Sequence, residues 1–261
     1  MAELTPMMQQ YFEIKNKNKD YILFYRLGDF YEMFFDDAKL VSRELELTLT
    51  GRDCGQGERA PMCGVPYHSA EGYIAKLVQK GYKIAICEQM EDPKKAKGLV
   101  KREIIRRVTP GTVVEASMLD ENRNNFLGCV YAAGGSVGVC FADITTGSVY
   151  ATGSNNWNDI TSEFGRFAPR EVLVGGGAIS ADSLQSFLKE RLEALIEPMP
   201  EECFEAQRSA ERIQEHFKVQ DFDAAGLTDL PCTVQCLGGL LDYLEQTQKA
   251  SLSSLNQLQV Y

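Results

Sequence analysis

The sequence predicts two successive α/β domains, each built around a mixed β-sheet. The chain has 261 residues, which exceeds the usual size of a single domain. Apolar residues make up 44% and charged residues 25%, values typical of a globular protein. Helix-like and strand-like patterns alternate on both sides of the polar stretch EASMLDENRNN. We therefore predict a first domain at 1–110, a linker at 111–124 and a second domain at 125–250.

The first half combines helix and strand signals. In TPMMQQYFEIKNKN, Thr5 and Pro6 occupy the cap and first-turn positions of a helix. YILFYRLGDFYEMF then has strand-forming residues interrupted by Gly28 and Asp29, which indicates a turn or a bulge. Helical spacing in DDAKLVSRELEL and SAEGYIAKLVQKG predicts two more helices, and YKIAICEQ and REIIRRVTPG complete a mixed sheet.

The second half begins with three strand signals, FLGCVYAA, SVGVCFADIT and GSVYATG. The pairs Gly134–Gly135 and Thr146–Gly147 separate them as hairpin turns. Helix, strand, helix, strand and helix patterns follow. Three antiparallel strands with this continuation have the order of a ribonuclease-H-like layered fold. The sequence therefore predicts a ribonuclease-H-like second domain.

Composition argues against several kinds of function. No apolar run is long enough to span a bilayer, and the start of the chain does not resemble a secretion signal, so we expect a cytoplasmic protein. The eight cysteines are scattered without zinc-finger spacing, which makes a structural metal unexpected. His68 and His216 are the only histidines, and neither has the surroundings of a hydrolase triad. VGGGA lacks the rest of a phosphate-binding loop.

Charge is distributed unevenly along the chain. Residues 1–110 hold 18 Lys and Arg against 16 Asp and Glu, whereas residues 111–261 hold 9 against 21, so +2 and −12 give the total of −10. If one half contacts nucleic acid, the first half is favoured. The basic stretch 92–107 and the Pro- and Gly-rich loop 60–69, which presents Met62, Tyr67 and His68, are candidates, although basic runs are more often solvated surface.

The segment RLGDFYEMFFDD places carboxylates among aromatic residues. Because alternate residues of a strand share a face, Phe30 and Glu32 would lie on one face and Tyr31 and Met33 on the other. Phe30 and Glu32 would then form a working surface. In the alternative interpretation, the aromatic residues are all core and the glutamate reaches solvent or a basic neighbour.

Five motifs resemble the MutS family of bacterial DNA mismatch repair proteins: GDFYEMFFDDA, PMCGVPYHS, AICEQMEDP, RRVTPGT and LLDYLEQTQK, in the family's order and spacing. The likeness covers the whole chain. It implies a mismatch-binding domain to about residue 110, then a connector domain, with the start of a truncated core domain at 251–261. The family's Phe-x-Glu mismatch motif falls on Phe30 and Glu32.

The resemblance also implies further sites and partners. Arg102 and Met62 match positions near the mismatch, and DNA backbone or groove contacts are expected from Tyr67, His68, Lys76, Lys97 and Lys101. Expected partners are duplex DNA with mismatches or small loops, a MutL-type partner at the connector and a second copy of the full-length protein. The fragment would hold no cofactor and have no enzymatic activity. ATP and Mg²⁺ would bind the full-length protein, a cytoplasmic, nucleoid-associated ATPase.

Two alternatives remain open at this stage. A ribonuclease-H-like unit could belong to a metal-dependent nuclease with Asp143 as a ligand, but such sites need several convergent carboxylates and DITTG supplies one. Asp143 would otherwise organise the turn at 145–147. The chain could also be purely a protein-interaction module, a possibility that duplex binding dependent on Phe30 would exclude.

Overall fold

A computed structural model describes residues 4–55, 57, 59–91, 98–115, 118–119, 124–248 and 252–261. The chain divides into two compact units, Met1–Thr109 and Pro110–Tyr261. Each unit contains one six-stranded mixed sheet, so the prediction of two α/β domains is confirmed. None of the described helices has the length and apolar character needed to cross a bilayer.

The first unit has the strand order β3-β4-β2-β1-β5-β6. Neighbouring strands are antiparallel, except that β1 and β5 are parallel. Its described strands are β1 (Ile22–Leu27), β2 (Phe30–Phe34), β3 (Thr50–Asp53), β4 (Arg59–Pro66), β5 (Ile84–Gln89) and β6 (Arg102–Val108). Its described α-helices are α1 (Pro6–Asn16), α2 (Phe35–Leu45) and α3 (Ala70–Gln79).

Local sequence explains most of these boundaries. The Thr5 Oγ1 atom accepts a hydrogen bond from the Met8 amide at 3.4 Å and caps α1, as predicted. Gly28 adopts φ +59° in the tight connection between β1 and β2, a conformation that a residue with a Cβ rarely takes. Ser69 precedes α3, but its hydroxyl donates to the Pro66 carbonyl at 3.2 Å instead of capping the helix.

The prediction of a loop at 60–69 is wrong for most of that stretch. Arg59–Pro66 forms β4, a strand paired with β2 on one side and β3 on the other. The two prolines and Gly64 suggest a loop, yet Ala60, Cys63 and Val65 are buried within the sheet. Burial of these side chains therefore outweighs the low strand propensity of proline and glycine. Residues Tyr67–Ser69 follow as a short 3₁₀ helix.

The second unit has the strand order β11-β10-β7-β8-β9-β12. Strands β7, β8 and β9 are antiparallel, whereas β10 and β11 continue the sheet in parallel from β7. This arrangement confirms the ribonuclease-H-like prediction. Its described strands are β7 (Phe126–Ala133), β8 (Ser136–Asp143), β9 (Ser148–Ser154), β10 (Glu171–Gly176), β11 (Leu195–Pro198) and β12 (Gln257–Val260).

Helices cover both faces of this second sheet. The described α-helices are α4 (Trp157–Phe167), α5 (Asp182–Glu190), α6 (Ala206–Phe217) and α7 (Pro231–Thr247). Leu237 of α7 and Ile213 of α6 pack in one buried cluster, while Phe164 of α4 and Leu188 of α5 pack in another. The sheet is consequently buried on both sides, which explains the nearly continuous apolar runs of β7 and β8.

Both ends of the second unit differ from the sequence-based boundaries. Strand β12, within the stretch assigned above to a further domain, pairs in parallel with β9. In the stretch assigned to the linker, the Gly111 amide donates to Glu171 Oε2 at 2.8 Å and the Thr112 carbonyl accepts from Gln248 Nε2 at 2.9 Å. Hydrogen bonds to partners far away in sequence hold these short segments on the unit, and local patterns do not reveal such partners.

Three cysteines meet inside the second unit. Cys129 of β7, Cys140 of β8 and Cys236 of α7 are fully buried, and their sulfur atoms lie within 4.8 Å of one another. The Sγ atoms of Cys140 and Cys236 are 3.4 Å apart. Burial raises the pKa of both these thiols well above the ordinary value. We call these three residues the thiol cluster.

Candidate functional site

Phe30 is the exposed aromatic residue of a strand whose other aromatic residues are buried. It begins β2 and is 46% exposed, whereas Tyr31, Met33 and Phe34 are buried. Tyr31 and Met33 lie on the face opposite Phe30 and Glu32, as the strand alternation predicts. Covering an exposed apolar ring with a binding partner is favourable, because it removes apolar surface from water.

Glu32 lies on the same face as Phe30 and forms an ion pair. Its Oε2 atom is 2.6 Å from Nη1 of Arg52, which belongs to β3. The Glu32 side chain is 15% exposed and the Arg52 side chain 39% exposed. The carboxylate therefore has a cationic partner that solvent can reach.

Gly64 of β4 lies beside both of these side chains. It pairs directly with Glu32 across the sheet, and Pro66 pairs with Phe30. A Cβ atom at Gly64 would be 3.4 Å from Glu32 Cγ and 3.7 Å from a ring carbon of Phe30. It would also be 3.2 Å from the Tyr31 carbonyl oxygen, closer than most Cβ contacts. The missing side chain leaves room for Phe30 and Glu32 to stand next to each other.

Tyr67 and His68 follow β4 directly. The Tyr67 amide donates to the Asp29 carbonyl at 2.9 Å, which places Tyr67 next to the turn preceding Phe30. Tyr67 is 45% exposed, and the Arg26 guanidinium lies 3.6 Å from the centre of its ring. The His68 ring makes an edge contact with the Tyr67 ring, with centroids 5.8 Å apart. An aromatic ring and a cation are thus adjacent on this surface.

Met62 and Lys76 have different positions relative to Phe30. Met62 pairs with Phe34 across β4 and β2, so it lies on the same sheet face as Glu32, two residues further along. The Thr50 hydroxyl donates to the Met62 carbonyl at 3.1 Å and lies 3.7 Å from the Met62 sulfur. Lys76 is exposed on α3, and no described contact joins it to Phe30 or Glu32.

Arg102 is placed inside the first unit. Only 7% of it is exposed. Its guanidinium donates to the Arg26 carbonyl at 2.8 Å, to Gln10 Oε1 at 2.9 Å and to the Val100 carbonyl at 3.0 Å. It also lies 5.0 Å from the centre of the Tyr25 ring. Its sequence-based assignment to the mismatch contact stays a prediction, and its contacts here connect β6 to α1 and β1.

The remaining predicted lysines belong to the basic stretch between β5 and β6. Lys101 is exposed, and its Nζ atom lies 2.7 Å from Glu103 Oε1. Hydrogen bonding to this carboxylate raises the pKa of Lys101, so the side chain remains a cation. Lys97 lies outside the described residues.

Asp143 stabilises a turn in the second unit. Its Oδ1 atom accepts hydrogen bonds from the Thr145 amide at 2.9 Å, the Thr145 hydroxyl at 2.6 Å and the Thr146 amide at 3.4 Å. The prediction that Asp143 organises the turn at 145–147 is confirmed. Within the described part of the chain, the one group of three or more candidate metal ligands is the thiol cluster, which lies in the apolar core.

Comparison with known proteins agrees with this architecture. The model of MutS domain I matches residues 5–117, and the model of MutS domain II matches residues 125–258. The second match alone covers more than half of the chain. The chain belongs to the MutS family.

Curated relatives of the chain are named DNA mismatch repair protein MutS. Those of Acetivibrio thermocellus, Lachnoclostridium phytofermentans and Ruminiclostridium cellulolyticum are 51%, 50% and 49% identical to it over its full length. The aligned parts are 30%, 28% and 30% of those proteins. The chain thus spans a little under a third of the length of the relatives it matches.

The sequence did not indicate two residues next to Phe30 and Glu32, namely Arg52 and Gly64. Arg52 is separated from Glu32 by 20 positions and reaches it because β4 lies between β3 and β2 in the sheet. Gly64 falls within the stretch 60–69, which the sequence predicts as a loop. The sequence does contain a signal for Gly64: a glycine within a strand often marks a place where another group comes close to the backbone.

Proposed function

We propose that this chain recognises mispaired or unpaired bases in duplex DNA. Phe30 acts as an apolar wedge in the minor groove, and Glu32 contacts a base beside it. The observation that carries the proposal is the exposure of Phe30, at 46%, on a strand that buries its other aromatic residues. The relatives' name, DNA mismatch repair protein, supports the same function.

The energetics of inserting Phe30 favour mispaired over correctly paired bases. Inserting an apolar side chain unstacks a base step at a cost of a few kcal/mol, and base–aromatic stacking returns about 1 to 3 kcal/mol. In correctly paired DNA the unstacking cost exceeds the stacking gain. A mispaired base is already partly unstacked and its step bends more easily, so Phe30 gains a net advantage there. The wedge detects deformability without reading sequence.

Glu32 adds a second criterion. A carboxylate that enters a DNA groove is repelled by phosphates and loses water, so it must accept a hydrogen bond from a base or donate one as the protonated acid. Well-paired bases leave few such groups free. Glu32 therefore penalises matched duplex more than mismatched duplex. On this basis Glu32→Gln raises matched-duplex affinity and lowers discrimination; equal weakening on both DNAs would contradict it.

The second unit has the role of a connector in this proposal. Residues 111–261 carry a net charge of −12, from 9 basic and 21 acidic residues, so the unit is unsuited to gripping DNA itself. It relays between the first unit and an ATPase region that uses ATP and Mg²⁺ in the full-length protein. It also receives a MutL-type partner, and the full-length protein acts as a dimer. The fragment itself reads DNA and has no enzymatic activity.

A titration of mismatched and matched duplexes with the 261-residue chain at low salt tests the proposal. We expect weak binding with a preference for the mismatch, because the first unit has few excess cations. Phe30→Ala removes the preference. Leu49→Ala is the matched control, since Leu49 is a similarly exposed apolar residue of the same unit, at 47%. Equal mismatch preference in both variants, or tight and salt-insensitive binding, would refute the assignment.

A further inference from the structure

The ion pair between Arg52 and Glu32 forms across one intervening strand. Arg52 pairs with Ala60 of β4, and Glu32 pairs with Gly64 of the same strand. The two side chains meet diagonally across β4, with Nη1 of Arg52 and Oε2 of Glu32 2.6 Å apart. Arg52 comes from a hairpin arm, and Glu32 from the interior of the sheet.

Exposure makes this ion pair exchangeable. The Arg52 side chain is 39% exposed and the Glu32 side chain 15% exposed. Ion pairs with a solvent-accessible partner contribute little net stability, because water and salt compete for both charges. A strong anion from solvent can therefore replace Glu32 as the partner of the Arg52 guanidinium. A DNA phosphate suits this exchange, since its oxygens match the planar donor fork of arginine.

We propose that Arg52 exchanges Glu32 for a DNA phosphate when Glu32 engages a mispaired base. This inference rests on the proposed function, because it assigns a partner exchange to the same site. On matched duplex, Glu32 finds no free base group and keeps Arg52. On mismatched duplex, Glu32 turns to the base, and Arg52 is released to a phosphate. Arg52 is thus a positioning residue for Glu32 on one DNA and a backbone contact on the other.

The exchange has a consequence for salt dependence. Each phosphate neutralised by a protein cation releases counterions and adds about 0.9 to the magnitude of the slope of log K against log salt. The mismatched complex has one more such contact than the matched complex. Its slope is therefore steeper by about 0.9, and discrimination falls about 3.5-fold between about 50 and about 200 mM salt.

The exchange also explains the effect expected for Glu32→Gln on matched duplex. An uncharged amide cannot hold the guanidinium by charge, so Arg52 becomes available to a phosphate even when the duplex is matched. The gain in matched-duplex affinity caused by Glu32→Gln should then depend on Arg52. In the double variant Glu32→Gln/Arg52→Gln, that gain is smaller, because only the relief of carboxylate–phosphate repulsion remains. A double-mutant cycle isolates this coupling from the separate effects of the two changes.

The experiment measures affinity of the 261-residue chain for one mismatched and one matched duplex at several salt concentrations. Variants are Arg52→Gln, Arg52→Lys, Glu32→Gln and the double variant. Arg59→Gln is the matched control, because Arg59 is an exposed arginine of the adjoining strand that donates to the Gly51 carbonyl and not to Glu32. Thermal unfolding of each variant verifies folding.

We expect Arg52→Gln to lower the mismatch slope by about 0.9 and to leave the matched slope unchanged. Arg52→Lys keeps the steeper slope because it keeps the cation, and Arg59→Gln changes both slopes alike. Identical wild-type slopes on the two DNAs, or an equal loss on both in Arg52→Gln, would overturn the exchange. An undiminished gain from Glu32→Gln in the double variant would also overturn it.

Failure of the proposed function gives a different pattern. If Phe30→Ala retains the full mismatch preference, the wedge assignment is wrong whatever the slopes are. A second pattern separates the two ideas: Phe30→Ala removes the mismatch preference, Arg52→Gln does not change the salt slopes, and the double-mutant cycle shows no coupling. The recognition function then stands and the exchange is rejected. Absence of duplex binding at low salt rejects both.

Discussion

Glycines in the two sheets serve opposite purposes. In the second unit, Gly138 of β8 lies against the backbone of α7, where a Cβ atom would be 2.3 Å from atoms of Cys232 and Thr233. In the first unit, the corresponding distances at Gly64 are 3.2 Å and more, and two of the neighbours are the side chains of Phe30 and Glu32. One glycine permits a helix to pack, whereas the other makes room for an exposed pair. The second sheet is thus built for tight packing and the first for access to a surface.

The largest effect is expected from Gly138→Val. The new side chain would overlap the α7 backbone, which cannot rotate away as a side chain can, so we expect a loss of about 3 kcal/mol or more in unfolding free energy. Denaturant unfolding followed by circular dichroism measures it. Gly72→Ala is the control, because nothing lies within 4 Å of a Cβ there and the site is in helix α3; it should not destabilise. Similar midpoints for the two variants would contradict the packing argument.

The next effect distinguishes the two faces of β2. Met33→Ala removes a fully buried side chain and should cost about 2 to 5 kcal/mol of unfolding free energy. Phe30→Ala should change it by no more than about 0.5 kcal/mol, since Phe30 is an exposed residue, with 46% of its surface in solvent. The same unfolding measurement compares them. If Phe30→Ala destabilises the chain as much as Met33→Ala, the exposed face is core and not a binding surface.

A smaller effect is expected from Gly64→Ala. The methyl group would crowd the Tyr31 carbonyl and the Glu32 side chain, so we expect a loss of about 1 kcal/mol in stability. Displacing Glu32 should also reduce the ratio of mismatched to matched duplex affinity, which the titration described above measures. Val65→Ala on the same strand offers a comparison, because Val65 is buried. Reduced stability with unchanged discrimination in both would remove Gly64 from the site.

The smallest effect belongs to Lys101→Ala. Lys101 is exposed and paired with Glu103, so thermal unfolding should not change measurably. If Lys101 contacts a phosphate, the variant weakens matched and mismatched duplexes equally and reduces the salt slope by about 0.9. Salt-dependent titration tests this. A selective loss on mismatched duplex would place Lys101 at the reading site instead of at the backbone.

Local periodicity was enough to predict much of this architecture. The alternation in RLGDFYEMFFDD predicts the two faces of β2, and burial of Tyr31 and Met33 agrees with it. The order of strands and helices predicts the ribonuclease-H-like sheet. These features depend on neighbours within a few residues, or on the sequential pairing of strands, and a sequence displays both directly.

Long-range partners account for what the sequence did not show. Strand β4 contains two prolines and a glycine, so its assignment depends on pairing with β2 and β3. Arg102 belongs to a basic stretch, but it is buried and donates to Gln10, 92 positions away. Arg52 meets Glu32 only because three strands align. Such contacts follow from the register of the sheet, which no single segment specifies.

The thiol cluster makes the opening of the second unit's core measurable. Its sulfur atoms come from β7, β8 and α7, so they are sealed for as long as the helix stays on the sheet. A thiol reagent can modify Cys236 only during an excursion that lifts α7 or unfolds the unit. The time course of its labelling therefore reports how often this core opens, and any binding event that tightens the connector should slow the reaction without a probe being introduced.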